Sequence, residues 1–478
     1  LGTNHPDYAV LLRNLAALYM KMENYDKVQP LLIEALAIYK NKFGELNPQY
    51  AKTRYELGTY HFAVGNYSAA KDFLYEALEI QRVTIDKYHP DITSTYEFLA
   101  MTYWHQDSII SANNYYKMAL DNYIYQINTY FEAMNDAEKT LFWNDVHPRF
   151  MRYFNFVAQN YDEIPEISAQ AYSYHVQTKA LLLNSSRKVR DRIINSDNPF
   201  LIAKYQQWQD LKNYTAKLYV LSNDELKERN INFDSLIQVV ERLEKDLTLY
   251  SIDFKLASEQ KNISYQNIKN SLTNDESAIE IVRVDKYDKL KELDECFYVF
   301  LVAQNSSTNP KILIFDDGKN METANSAEYE KAIMSGKDMD NFYKYYWKGV
   351  DEIIKNTKTL YLSLDGIYNQ VNINTFLLPN GKYVIDDKKT YFLTNTKDLI
   401  DFKQNSKKPQ NIVGQTAVLI GYPDYLLDLP PDFSFVTPLP GTKVEVDNIA
   451  AILKKNNWKL RIFTEENATE ANVKAVLD

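Results

Sequence analysis

The sequence predicts a chain in two parts, an all-helical N-terminal region followed by an α/β region with a mostly parallel sheet. Up to about residue 272, apolar residues recur at three- and four-residue spacing, as they do on amphipathic helices. Beyond Ser277, short runs rich in β-branched and aromatic residues alternate with helical segments, and this alternation favours parallel strands joined by helical crossovers. We therefore expect three segments, at residues 1–130, 131–272 and 273–478.

A 42-residue repeat organises the first segment, marked by the dipeptides His5-Pro6, Asn47-Pro48 and His89-Pro90. Each unit contains two stretches with helical spacing of apolar residues, so each is predicted to be a helix pair. A small residue recurs at one register position, and we expect it to let the two helices approach closely. These small residues are Ala16, Gly58 and Ala100.

The repeat resembles the tetratricopeptide repeat (TPR), in a variety with 42-residue units, over residues 1–130. Gly58, Ala70 and Ala77 occupy the small-residue positions of that family, whereas His61 replaces its usual tyrosine. The resemblance implies a solenoid whose first helices line a concave groove that binds peptides or proteins. The alternatives for the groove positions are a solvated surface and contacts between repeats. By register, these positions are Arg13, Asn14, Lys21, Tyr55, Glu56, Thr59, Glu97, Met101, Trp104 and His105.

The second segment is predicted to be helical throughout, with a capping box at Asn135-x-x-Glu138 and a helix start near Pro165. An apolar stretch at residues 177–184 is followed by the cations Arg187, Lys188 and Arg190. These could form a docking patch for nucleic acid or an acidic partner. A solvated helix face is favoured, because acidic residues follow along the same region.

Six strands are predicted in the third segment, together with helices that Thr442-x-x-Glu445 and Asn467-x-x-Glu470 would cap. The predicted strands cover residues 278–284, 296–302, 311–315, 359–364, 417–421 and 458–463.

A characteristic segment runs from Tyr361 to Asn372, with its Asp365-Gly366 pair, and related sequence continues at residues 378–386, 419–424 and 438–446. In these residues the third segment resembles the CHAT domain, a caspase-like peptidase module found attached to TPRs in bacteria. The resemblance implies that residues 273–478 form the N-terminal part of a caspase-like domain.

In caspase-like peptidases a cysteine thiolate attacks the peptide carbonyl, and a histidine acts as general acid and base. The resemblance implies that this histidine follows a helix like residues 469–477, and that the cysteine ends the next strand. We therefore expect the catalytic pair beyond Asp478, in a chain that begins within a repeat and is inactive as given. Cys296 lies within a predicted strand and is expected to be a buried structural residue.

Asp365 follows a predicted strand, at the position where α/β sheets carry ligand-binding loops. It could recognise a basic substrate residue, although a turn-forming aspartate is the favoured alternative. The parent protein is thus expected to be a cysteine peptidase whose repeats bind a regulatory partner or substrate. The other hypothesis is a non-catalytic interaction scaffold with a pseudo-protease domain.

The composition excludes several classes of function. The chain has 12 glycines, none between Gly65 and Gly318, and no glycine-rich phosphate-binding motif. One cysteine, and histidines only up to His175, argue against a metal cluster or a disulfide framework. A net charge of −10 argues against general nucleic-acid or membrane-surface binding, and no apolar run is long enough to span a bilayer. We expect a cytoplasmic protein without cofactor or metal.

Overall fold

The structure, a computed structural model, divides into two compact units, Leu1–Asp401 and Phe402–Asp478, and each unit is described by itself. It describes residues 2–131, 134–179, 181–182, 190, 193–194, 196, 198–218, 226–227, 229, 231–252, 263–335, 340–406, 415–424, 439–469 and 471–473.

Three helix pairs form the first segment and confirm the repeat prediction. The proline of each recurring dipeptide is the first helical residue, where its missing N–H costs no hydrogen bond. The residue before it caps the helix, as Asn47 Oδ1 does by accepting from the Gln49 amide at 2.8 Å. The pairs are α1 Pro6–Lys21 with α2 Val28–Phe43, α3 Pro48–Ala63 with α4 Tyr67–Thr84, and α5 Pro90–Trp104 with α6 Ile109–Tyr130.

The small residue at the repeated position is buried, and in the second repeat it lies at the contact between α3 and α4. A Cβ atom added to Gly58 would lie 2.6 Å from Leu74 Cγ, which is too close for any side chain. Ala16 and Ala100 at the equivalent positions are also buried. The expected close approach of the helices is therefore present.

The helical middle continues with α7 Asp136–Asn160, α8 Glu166–Thr178, α9 Pro199–Leu218, α10 Phe233–Ile252 and α11 Tyr265–Ser271. The capping box of Asn135 and Glu138 is confirmed. Helix α8 ends at Thr178, because the Lys179 backbone is extended. Three residues of the predicted helical stretch at 177–184, namely 180, 183 and 184, and the cations Arg187 and Lys188 lie outside the described residues.

A five-stranded sheet with the order β3-β2-β1-β4-β5 follows. Strand β1 is antiparallel to β2 and parallel to β4; β3 is antiparallel to β2, and β5 is parallel to β4. The sheet is thus antiparallel on one side of β1 and parallel on the other. Strand β5 was not predicted from the sequence. The strands are β1 Glu276–Asp288, β2 Lys291–Gln304, β3 Lys311–Phe315, β4 Thr359–Ser363 and β5 Lys389–Leu393.

Alternate residues of β1 enter two different cores. Ala278 and Val282 join the core that continues through α7 and α8 into the repeats, so this is the repeat-side face. Ile279 and Ile281 face the other way, toward Trp347 and the short helices that follow β3. Those helices are α12 Gly318–Glu322, α13 Ala324–Ser335, α14 Asp340–Tyr346 and α15 Val350–Ile353, with α16 Val384–Asp387 and α17 Asp398–Ser406 further on.

The second unit is a parallel pair, β6 Thr416–Pro423 and β7 Lys459–Glu465, connected by α18 Pro440–Lys455. The predicted cap at Thr442 is wrong, because its hydroxyl accepts from the Tyr422 amide at 2.8 Å and the helix begins two residues earlier. Residues 471–473 are helical, as predicted after Asn467, while Glu470 lies outside the described residues. No helix in the described part of the chain is both long and apolar enough to cross a membrane.

Candidate functional site

Arg13, expected in the groove, is instead buried between the first two repeats. Its guanidinium donates to both carboxylate oxygens of Glu56, at 2.6 and 2.7 Å, and to Gln49 Oε1 at 2.8 Å. The prediction that Arg13 is exposed in the groove is therefore wrong. Its partner Glu56 is only partly exposed. The pair joins α1 to α3, which is the inter-repeat alternative for these positions.

Glu97 and Met101 of α5 are also buried, each 1% exposed, so the expectation of an exposed groove is wrong for them too. The Glu97 carboxylate accepts from Arg149 at 2.7 Å and from Arg152, both of which belong to α7. Burial alone raises the pKa of Glu97, but the charges of Arg152 and Arg149 outweigh it and lower the pKa to about 2. The third repeat is thus held to α7 by a buried ion triad.

The other groove positions reach the surface. Asn14, Lys21 and His105 are exposed, and three more side chains are partly exposed, those of Tyr55, Thr59 and Trp104. Trp104 packs edge-to-face on Phe156 of α7, with ring centroids 5.4 Å apart. These residues form the candidate partner surface, and their role in binding stays a prediction.

Asp365 follows the carboxyl end of β4 and lies beside the middle of the longer parallel strand β1, at Arg283. One carboxylate oxygen accepts from the Gly366 amide and the other from the Arg283 amide, each at 2.9 Å. The aspartate therefore caps the short helix Gly366–Asn369 and joins it to β1. These contacts support the turn-forming alternative, and recognition of a basic substrate residue stays a prediction.

Charged side chains surround this turn on the face of the sheet opposite the repeats. Arg283 Nε donates to Glu322 Oε1 at 2.6 Å, its Nη2 donates to Oε2 at 3.3 Å, and its Nη1 pairs with Asp285. The Tyr298 hydroxyl also donates to Glu322 Oε1 and accepts from the Ile367 amide at 2.9 Å. The arginine is thus shared by two carboxylates, so the cluster carries no excess of positive charge.

Cys296 borders this cluster and is 3% exposed. Burial raises the pKa of its thiol to about 11, so the nucleophilic thiolate is scarce at neutral pH. Gly318 packs against it, and a Cβ added there would lie 2.8 Å from Cys296 Sγ. The surroundings are those of a structural cysteine.

A buried polar cluster on the repeat-side face was missed by the sequence analysis. The Glu280 carboxylate lies 3.1 Å from Lys179 Nζ and 3.3 Å from His175 Nε2, and it accepts from the Thr396 amide at 2.6 Å. Burial alone would raise the pKa of Glu280, but the charge of Lys179 and the contact with His175 lower it well below its usual range. The signal available in the sequence was a single acid within the apolar run 278–284.

A polar pocket of about 460 Å³ opens between α6, α8, the start of α11 and the turn between β2 and β3. Among the residues that the structure describes, no group of three or more histidine, cysteine or acidic side chains could hold a metal ion. The pocket is lined by Lys117, Asp121, Ala169, Gln170, Ser173, Tyr174, Gln177, Ser264, Tyr265, Gln266, Thr308 and Asn309.

Stacked helix pairs followed by a mixed α/β sheet define a repeat protein joined to an α/β domain. Comparison with known families is more specific: the tetratricopeptide repeat matches residues 7–82 and the CHAT domain matches residues 340–478. The chain therefore has a TPR-CHAT architecture. Strands β1 to β3 precede the matched CHAT residues but share a sheet with β4 and β5.

Solved structures of other repeat proteins are similar to part of the chain. One structure contains nearly identical TPR-like repeats from Podosopora anserina, assigned to a kinesin light chain. It is 18% identical to this chain, the match covers 38% of this chain and 95% of that chain, and the TM-score is 0.24. BtubC (BKLC) from P. vanneervenii is 16% identical, over 52% of this chain and 83% of its own, with a TM-score of 0.28. No curated protein matches the chain.

Proposed function

We propose that the repeats bind a regulatory partner or a substrate protein and hold it beside the CHAT domain. The observation that carries the proposal is the core shared by the repeats, α7, α8 and one face of the sheet. A partner bound to the repeats would be held by a solenoid whose second and third repeats share a core with α7 and α8, the helices that pack on β1. The surface that supports binding consists of Asn14, Lys21, Tyr55, Thr59, Trp104 and His105.

We further propose that these 478 residues do not hydrolyse peptides by themselves. A cysteine peptidase needs a thiolate and a histidine positioned as its base. The only cysteine, Cys296, is buried with a raised pKa, and no histidine follows His175 in the sequence. Both observations support the absence of peptide hydrolysis by these residues.

Partner binding is tested by capture with the immobilised chain, followed by measurement of the dissociation constant with each purified partner. We expect the double variant Asn14→Ala, Lys21→Glu to weaken binding about tenfold, because it removes two exposed side chains and reverses one charge. The matched control is Lys42→Glu, which makes the same charge reversal on the second helix of the repeat. Equal affinities for the double variant and the wild type would contradict the assignment of the groove.

Peptidase activity is tested with a set of fluorogenic peptides that carry basic residues. We expect hydrolysis by the wild-type chain to equal that of Cys296→Ala, at the level of the buffer. Turnover that disappears in Cys296→Ala would show that a thiol reacts in this chain and would overturn the proposal.

A further inference from the structure

The hairpin formed by β1 and β2 extends beyond the rest of its sheet. Strand β1 pairs with β4 only over residues 276–280, whereas its pairing with β2 continues to Asp288 and Lys291. Residues 284–297 therefore project as a two-stranded arm. At its tip, Lys289 has a φ of +56°, a left-handed conformation that is uncommon for residues other than glycine.

Helix α7 supports the arm at Asp285 and Tyr287. The Asn155 side chain donates to the Asp285 carbonyl at 2.8 Å and accepts from the Tyr287 amide at 3.3 Å. The guanidinium of Arg152 lies over the Tyr287 ring, 5.6 Å from its centroid. The arm thus has a defined position against the helical region.

The tip of the arm contacts the second and third repeats. Lys289 Nζ donates to the Ala63 carbonyl at 3.4 Å and lies 5.6 Å from the centroid of the Tyr67 ring. His105 stacks on the same tyrosine, with centroids 5.0 Å apart and an interplanar angle of 3°. A lysine therefore lies against an aromatic ring beside a residue of the candidate partner surface.

The chemistry of this surface suits a cation. Ala63 is the last residue of α3, where helix carbonyls have no intrahelical donor and the helix dipole is negative. The Tyr67 ring adds the attraction between an aromatic face and a cation. The charged groups that act on His105 are Lys289, Asp288 and Asp107, so two acids also lie near.

We propose that Ala63, Tyr67 and His105 form a receptor site for a lysine or arginine side chain of a partner, and that Lys289 occupies this site within the chain. A partner protein that presents a basic residue binds there by displacing the arm tip. This inference rests on the proposed partner binding by the repeats and specifies the chemistry of the partner at one position. The occupant is identified by Lys289 itself, which donates to the Ala63 carbonyl and lies over the Tyr67 ring.

The test compares Lys289→Gln with the wild type and with Lys286→Gln. Lys286 belongs to the same arm, but its Nζ pairs with Glu295 of the neighbouring strand at 3.0 Å. The probe is the peptide acetyl-Ser-Gly-Lys-Gly-Ser-amide, with a norleucine version as the uncharged control, and binding is followed by nuclear magnetic resonance of the His105 ring. We expect the lysine peptide to bind Lys289→Gln at least tenfold more tightly than the other two proteins. Equal affinity for all three, or equal binding of the norleucine peptide, would overturn the inference.

A second measurement establishes whether the tip occupies the site in solution. One side of the His105 ring packs on Phe62 and Tyr67, and this partial desolvation lowers its pKa; the charge of Lys289 lowers the pKa further. The pKa of His105 should therefore rise in Lys289→Gln and stay constant in Lys286→Gln, and an unchanged pKa in both would also overturn the inference. Partner capture with the Asn14 and Lys21 variant does not involve this site, so the two proposals can fail separately.

Discussion

At the scale of single residues, sequence register predicted the groove positions but did not distinguish surface residues from those that join helices. Glu97 shows why: its register matches an exposed position, yet two arginines more than fifty residues later in the chain approach it. Such long-range ion pairs leave no periodic signal in a sequence. The buried positions are therefore structural, and mutating them tests folding rather than binding.

Replacement of Glu97 by Gln should lower the free energy of unfolding by about 3 kcal/mol or more, since it leaves Arg152 buried without its counter-ion. The folded-state pKa of Glu97, about 2, lies below the usual value of 4.5. Its contribution is thus fully present above pH 4.5 and is lost as the pH falls toward 2. Urea unfolding at pH 7 and pH 3 measures both effects. The control is Glu79→Gln, because Glu79 forms an exposed ion pair with Arg82. A cost at pH 7 no larger than that of the control would contradict the triad.

Gly366 and Gly381 provide a matched pair for the turn that follows β4. Both have positive φ, +51° and +78°, but only Gly366 is crowded, since an added Cβ would lie 2.2 Å from Tyr298 Oη. Gly366→Ala should cost about 3 kcal/mol of unfolding free energy, because strain and overpacking act together. Gly381→Ala should cost about 1 kcal/mol from its backbone alone. Denaturation midpoints measure both, and equal costs would show that the turn relaxes freely.

At the scale of secondary structure, the repeat helices were predictable because cap and proline recur at a fixed spacing. Two elements were not. The arm exists because β1 is longer than its neighbour β4, and no local sequence pattern indicates how long the partner of a strand is. The other element is α18, which begins at Pro440. The Thr442 hydroxyl, expected to cap this helix, instead accepts a hydrogen bond from the amide of Tyr422, twenty residues earlier. Competition for a hydrogen-bonding group is visible only once the chain is folded.

The N-terminus of α7 contacts α10 through two carboxyl groups, and this contact should depend on pH. The Glu244 carboxyl accepts from the Asp136 amide at 2.8 Å, near Lys139 and Lys212. Burial, together with the charge of Asp136, raises the pKa of Glu244 to about 7. The folded state then binds an extra proton between pH 4.5 and 7, so the contribution of Glu244 to the unfolding free energy decreases as the pH rises through that range.

Glu244→Gln should therefore raise the melting temperature at pH 8 relative to the wild type and reduce the difference between pH 5 and pH 8. Glu241→Gln, one turn earlier on α10, is the control. Differential scanning calorimetry at the two pH values measures the effect. The assignment is wrong if Glu244→Gln and the control change the melting temperature equally at pH 8.

At the scale of the whole molecule, Lys179 and Glu280 link the helical region to the sheet. Lys179 follows α8, Glu280 lies in β1, and the Lys179 ammonium also donates to Ser363 Oγ at the end of β4, at 2.6 Å. Sequence analysis identified both parts of the molecule and missed this link, because its partners are about one hundred residues apart.

Lys179→Met should lower the free energy of unfolding by about 3 kcal/mol, since Glu280 would remain buried without its lysine. It should also separate the unfolding of the repeats from that of the sheet, so that tryptophan fluorescence and far-ultraviolet circular dichroism no longer give one midpoint. Lys286→Met, which removes an exposed ion pair of the arm, should leave both signals together. A single shared midpoint in Lys179→Met would show that other contacts maintain the link.

The order of strands in the sheet also affects how the chain folds while the ribosome is still synthesising it. The helices of each repeat contact each other and the adjacent repeat, so the repeats can fold as they emerge. Strand β1 reaches its antiparallel partner at once, through the two-residue turn at Lys289, but its parallel partner β4 begins only at Thr359. The nascent chain therefore carries an open β1 edge during that interval. Because α7 and α8 have already been made, they can cover one face of the unfinished sheet and limit aggregation while the ribosome adds β4.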